Sequence, residues 1–297
     1  MNIYLTFSLI FSAVGALFNA TRQFQMFQQN SYYPSRYYKW LCGSYSNGLL
    51  GNAFAYLLVA ILFFLKLYIL QCALSFILML CFITSAIRTQ KKSIKSLVFT
   101  DRVKRLYLTA FLIFAIFVVL YAFLPKNIVG QIAIALCLVF AYIPPLLTFT
   151  LWVVTLPVEK LISRYYINDA KKVLKNRPNM TVIGVTGSYG KTTTKFILTR
   201  ILSEKFNVVC TPHSYNTPMG VVKTIRTMLK PQTEIFVCEM GAKEVGNIKE
   251  VCDIASPKYG IITSVGPQHL ETFKSIENVF SILFSLNVHP STDVPAA

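Results

Sequence analysis

Five stretches of this chain, residues 2–20, 49–65, 67–87, 107–124 and 128–154, run almost free of charge. Such runs leave few folds open, because about 20 consecutive apolar residues in a helix match the hydrocarbon thickness of a bilayer. The second and third runs are interrupted only by Lys66. They are compatible with a tight hairpin of two short helices or with one long tilted helix, so the expected number of spans is four or five. No basic segment precedes the first run and no small-residue cleavage pattern precedes Arg22, so the first run is expected to stay in the chain as a span.

Orientation follows from the bases. Arg88, Lys91, Lys92, Lys95, Arg102, Lys104 and Arg105 flank one loop, whereas the turn between the last two runs offers only Lys126. Basic loops face the cytoplasm, which predicts a multi-pass protein of a bacterial cytoplasmic membrane with everything beyond residue 156 in the cytoplasm. The net charge of +17 arises chiefly here: residues 1–180 hold three acids (Asp101, Glu159, Asp169) against eighteen Lys and Arg. A basic excess beside apolar runs is explained by topology, so no nucleic-acid partner is expected. No Asp or Glu lies inside any run, which argues for an anchor over a transport pathway. Pro144 and Pro145 are expected to kink the last span. The seven cysteines form no C-x-x-C pair and read as reduced small hydrophobes. From Pro157 to Met180, apolar residues recur near helical spacing with bases between them. This predicts a basic amphipathic linker on the membrane surface, stopped by Arg177-Pro178-Asn179.

After Thr181 the pattern changes. Residues 181–186 form a β-branched run that ends in Gly187-Ser188-Tyr189-Gly190-Lys191-Thr192-Thr193-Thr194 and continues as a helical stretch to Lys205. Strands are expected at 208–211, 234–240 and 259–265, with helices at 219–229 and 247–254. The alternation predicts an α/β domain with a mostly parallel sheet. Ligands of such sheets bind at the carboxyl ends of strands. The loop at 187–192 carries the clearest chemistry. Gly187 and Gly190 let backbone N–H groups turn toward phosphate oxygens, Lys191 is placed to reach the β- and γ-phosphates, and the Thr192 hydroxyl is placed to ligate magnesium. The common spacing G-x-x-x-x-G-K-[ST] is not met, because Val185 stands where its first glycine belongs.

Residues 184–195, Gly-Val-Thr-Gly-Ser-Tyr-Gly-Lys-Thr-Thr-Thr-Lys, resemble the ATP-binding signature of the Mur ligase family in the form of its MurF branch. Residues 214–221 (Ser-Tyr-Asn-Thr-Pro-Met-Gly-Val), 237–242 (Val-Cys-Glu-Met-Gly-Ala) and 262–271 (Ile-Thr-Ser-Val-Gly-Pro-Gln-His-Leu-Glu) resemble further motifs of the same branch, in order. The resemblance implies a P-loop central domain and an ATP-dependent acid–amino acid ligase of peptidoglycan precursor synthesis, with a cell-wall precursor as substrate. It implies ATP contacts from Gly187, Ser188, Tyr189, Gly190, Lys191, Thr192 and Thr193, with Lys191 catalytic. Magnesium would be held by Thr192, Glu239 and His269, and substrate by Asn216 and Thr217. Without the family pattern, Glu239 reads as a solvated carboxylate or helix cap, His269 as a histidine at a helix start, and Asn216 and Thr217 as turn chemistry around Pro218.

The expected organisation is a membrane region of four to five helices at 1–155, the linker at 156–180, a partial Mur ligase central domain at 181–280 and a tail at 281–297 without resemblance. The family carries a nucleotide-holding N-terminal domain where this chain has apolar runs. It also carries a lysine that becomes carbamylated, and this chain has no lysine between Lys274 and Ala297. These departures lead to the expectation of a truncated or frame-shifted chain, inactive alone. The alternative is a catalytically inactive ATP-binding membrane scaffold.

Overall fold

The structure, a computed structural model, describes residues 3–44, 46–124, 128–213, 215–241, 246–264 and 266, the side chains of 44 and 46–49 excepted. It divides into two compact units, 1–159 and 160–297.

The first unit is helical: α1 (Ile3–Gln29), α2 (Pro34–Ser44), α3 (Ser46–Phe64), α4 (Tyr68–Lys92), α5 (Asp101–Phe123), α6 (Ile128–Tyr142) and the first part of α7 (Pro144–Lys175). By length and composition, α1, α4, α5 and α7 are apolar enough to cross a membrane, while α6 and the stretch Leu50–Phe64 of α3 are shorter. Lys66 takes a left-handed φ of 58°, which separates α3 from α4 and rules out one long helix through 49–87. α1 and α4 pack in parallel: Ser8 Oγ lies 2.9 Å from Ser75 Oγ, the bare Cα of Gly15 faces Met79, and Gln90 Nε2 donates to Gln25 Oε1 at 3.0 Å. Small residues let helices approach closely, and hydroxyls tie them where apolar burial does not discriminate between partners. Ser12 Oγ lies 3.1 Å from Tyr142 Oη and Thr21 Oγ1 lies 2.9 Å from Tyr107 Oη, extending these ties to α6 and α5. The chain breaks at Ile143, before Pro144, as a proline that lacks an N–H and clashes with the preceding turn dictates. α7 then runs unbroken through Pro157, so the linker helix expected from that residue is the latter half of a longer one. It stops at Lys175, ahead of Pro178.

The second unit holds β1 (Thr181–Thr186), α8 (Lys191–Leu202), β2 (Val208–Cys210), α9 (Pro218–Met228), β3 (Ile235–Glu239), α10 (Asn247–Ala255) and β4 (Tyr259–Ile262). The strands form one all-parallel sheet in the order β2-β3-β1-β4. Alternation along the strands makes two cores. Val182, Phe236, Cys238 and Met240 pack with residues of α9 and α10, while Val185, Ile235 and Val237 pack with Leu198 and Leu202 of α8. From β1 the chain leaves through α8 toward β2, and from β3 it leaves through α10 toward β4. The connections diverge between the adjacent strands β1 and β3, opening the crevice in which ligands of parallel sheets bind.

Candidate nucleotide site

Register places the pieces. Val185 pairs with Glu239 and Thr186 with Ile262, so the ends of β1, β3 and β4 meet in one place. The loop after β1 turns sharply there. Gly187 has φ +142°, and a Cβ on it would lie 2.2 Å from Thr263 Oγ1; Gly190, at φ +80°, starts α8. The end of β4 fastens the loop. Ser188 N donates to Ser264 O at 2.7 Å, Tyr189 N donates to Ser264 Oγ at 3.0 Å, and Thr263 Oγ1 donates to Tyr189 O at 2.5 Å.

Lys191 Nζ folds back over the loop and donates to Gly187 O at 2.5 Å and to Ser188 O at 2.9 Å. Burial draws its ammonium below the ordinary lysine value, and the carboxylate of Glu239 opposes that shift. The first-turn amides of α8 have no acceptor within their own helix and sit at the positive end of its dipole.

Glu239 is the centre of the polar cluster. Its carboxylate is only 1% exposed and accepts three bonds: from Thr192 Oγ1 at 3.0 Å, from Lys195 Nζ at 2.9 Å and from Asn216 Nδ2 at 3.1 Å. A buried carboxylate needs such partners, because an unpaired one costs several kcal/mol (about 3–5 for losing one member of a buried pair). Asn216 reaches it across Gly241, where any Cβ would come within 2.7 Å of Asn216 Cγ, and Gly241 N returns a bond to Asn216 O at 2.8 Å.

The structure thus brings together Thr192, Glu239 and Asn216, and sets Lys191 beside them on the loop. Thr217 acts as the N-cap of α9, accepting from Gly220 N at 3.4 Å. Thr193 is exposed on α8, and Tyr189 is exposed with its ring against Gly266. His269 lies outside the described residues. Thr192 Oγ1 and Glu239 Oε2 are hard oxygens 3.0 Å apart, a donor set that suits magnesium, which prefers one or two carboxylates and fills its remaining positions with water and phosphate. No group of three or more His, Cys, Asp or Glu gathers among the described residues.

Two groups of residues lie within the motifs at 184–195 and 262–271 without a role being assigned to them from sequence. Thr263 and Ser264 hold the loop through contacts of high sequence separation, a role that no local pattern announces. Lys195 does leave a signal. It falls on the inward stripe Lys195, Leu198, Leu202 of α8, and a lysine on such a stripe demands a buried carboxylate.

Residues 185–291 match the family model described as Mur ligase middle domain, which extends past residue 280, where recognisable motifs end. Among curated proteins, a UDP-N-acetylmuramoyl-tripeptide--D-alanyl-D-alanine ligase of Synechocystis is 37% identical over 124 residues, covering 38% of this chain and 27% of that protein. The enzyme of the same name from Bacillus subtilis is 38% identical over 98 residues, covering 33% and 21%. Among solved structures, the MurF ligase of Thermotoga maritima in complex with ADP aligns at 38% identity over 42% of this chain and 29% of that one, with a TM-score of 0.40. The chain therefore spans about a quarter of the length of the curated relatives it matches.

Proposed function

From the premise that this chain carries a MurF-like Mur ligase middle domain, we propose that its second unit binds ATP and serves an acid–amino acid ligase acting on a peptidoglycan precursor. The observation that carries this reading is the cluster at the ends of β1 and β3, where the glycine loop, Lys191, Thr192 and a buried, triply bonded Glu239 converge.

In such a reaction a substrate carboxylate oxygen attacks the γ-phosphorus of ATP, the bond to the β-phosphate oxygen breaks, and an acyl phosphate and ADP form. An amine then attacks the acyl carbon, loses a proton and expels phosphate, leaving an amide. Charge spread over the transferring phosphoryl group is met by fixed donors, so positioning and electrostatics supply most of the catalysis. Lys191 would exchange its two loop carbonyls for phosphate oxygens, and the α8 amides would face the same oxygens. Thr192 and Glu239 would hold magnesium, which supplies charge neutralisation across the phosphates when bound. Lys195 and Asn216 keep the Glu239 carboxylate aimed at Thr192.

The first unit reads as a multi-pass anchor in a bacterial cytoplasmic membrane, with the nucleotide site on the cytoplasmic side. Support comes from four helices of sufficient length and apolarity, from the small buried share of α4 (11% of its most apolar window), and from the bases gathered between α4 and α5.

Titration of the full chain in mild detergent with a fluorescent ATP analogue, with and without magnesium, tests the site. Lys191→Ala should weaken binding by about 100-fold, the scale of losing a charge-assisted contact to phosphate at roughly 2–3 kcal/mol. Equal affinity in variant and parent would remove the assignment.

A further inference from the structure

In the helical unit, a cavity of about 920 Å³ lies between α1, α4 and the segment 93–95. Arg22, Arg88, Lys92 and Lys95 line it, and no acidic residue does. The two carboxylates of this unit are engaged elsewhere: Asp101 with Lys104 at 3.1 Å, and Glu159 with Arg105 at 2.7 Å and Arg102 at 3.7 Å. The cavity wall is a built structure. Gln25 Nε2 and Gln29 Nε2 both donate to Lys95 O, at 2.6 and 2.7 Å. Gln90 Oε1 accepts from Leu97 N at 2.8 Å, and Gln28 bonds both polar atoms of the Val98 backbone. Four glutamines thus fix the segment that carries Lys95 against α1 and α4.

Position tells what sort of anion fits. Arg22 is the first charge in the chain and Arg88 the first after Lys66, so the two parallel helices pass from apolar to cationic sequence at the same level. In a membrane that level is the head-group layer. Thr84 and Ser85 extend the lining toward the apolar side, and Ile94, Val98 and Phe99 project fully or largely exposed beside the bases. Cationic and apolar groups at one interface suit an amphiphile better than a free ion.

We propose that this cavity binds the phosphate of a membrane lipid head group, held by Arg22, Arg88, Lys92 and Lys95. The inference rests on the membrane reading of the first unit and is independent of the nucleotide site. The test uses the full chain in neutral detergent, titrated with dioctanoyl phosphatidic acid, dioctanoyl phosphatidylcholine and inorganic phosphate. Phosphatidic acid should bind saturably and more tightly than either alternative. The variant R88Q/K92Q/K95Q should lose on the order of 100-fold in that affinity, from three cationic contacts. The charge-conserving R88K/K92R/K95R should retain binding, which guards against a folding defect, and K171Q/K172Q/K175Q, which removes the same charge elsewhere, should match the parent. Equal losses in both charge-removing variants, loss in neither, or inorganic phosphate binding as tightly as the lipid would each overturn the proposal. Release of the parent from membranes by alkaline carbonate would overturn the membrane reading itself. Carbonate-resistant protein without lipid selectivity would overturn the cavity alone.

Discussion

Among the described residues of the second unit, Lys195 and Glu239 form the most buried ion pair: both side chains are essentially shielded from water, and their charged atoms lie 2.9 Å apart. Breaking a buried pair from one side leaves a charge without compensation, at roughly 3–5 kcal/mol, whereas replacing both members by apolar groups is often neutral. Lys195→Met should therefore destabilise the second unit by about that amount, and K195M/E239M should recover much of it. Denaturant unfolding followed by hydrogen exchange of β1 and β3 amides reads the difference. A K195M protein as stable as its parent would show that the pair contributes nothing. The double variant should still lose magnesium-dependent nucleotide binding, because Thr192 no longer shares its position with a carboxylate. Stability and function separate here: the pair costs desolvation, and the arrangement it secures is an oxygen ligand held beside a phosphate loop.

The turn between β1 and α8 is the element on which the site hangs. Ala at position 187 would place a Cβ 2.2 Å from Thr263 Oγ1 while requiring a φ of +142° that side chains avoid. Thr263 cannot retreat without releasing Tyr189 O and Thr186 O. Gly187→Ala should thus unfasten β4 from the loop, lowering the melting temperature and nucleotide affinity together. Retention of the parent affinity would mean that the loop does not need this fastening. The elements themselves were legible in the sequence. Each strand and helix of the second unit lies within a few residues of its expected place, because β-branched runs, the glycine loop and the proline before α9 are local signals. The site was legible only where a local motif spells it, as in Gly187 to Thr192. Lys195, Thr263 and Ser264 act across 44 to 77 residues of chain, and such pairings are set by sheet register. In the helical unit, apolar runs marked the helices, yet α1 extends to Gln29 and α2 was not expected, since polar helix stabilised by packing leaves no run to read.

At the scale of the molecule, the parallel packing of α1 and α4 bears on the proposed membrane anchor, whose number of spans composition leaves at four or five. Two parallel helices in one membrane require the chain to return between them, and α2 and α3 are the segments available for that return. With α3 as a crossing, α1, α3, α4, α5 and the broken helix α6–α7 make an odd number of passages. In the proposed anchor, an odd number would put the two ends of the helical unit on opposite sides, and the bases between α4 and α5 would mark the cytoplasmic one. Alkaline phosphatase fused after Lys66 or after Leu124 should accordingly be active, while fusions after Lys95 or Lys160 should be inactive. Green fluorescent protein at the same four positions should give the reverse pattern. Had α3 lain along the surface, α4 would enter the membrane from the side on which α1 leaves it, and the two helices could be parallel only if α1 were also displaced from the membrane. That would leave the Ser8–Ser75 and Ser12–Tyr142 ties without the apolar surroundings that make such hydroxyl contacts selective. An active phosphatase after Lys95 would reverse the orientation and place the nucleotide loop on the side of the membrane where ATP is scarce, so the same four fusions test the anchor and the plausibility of the chemistry it carries.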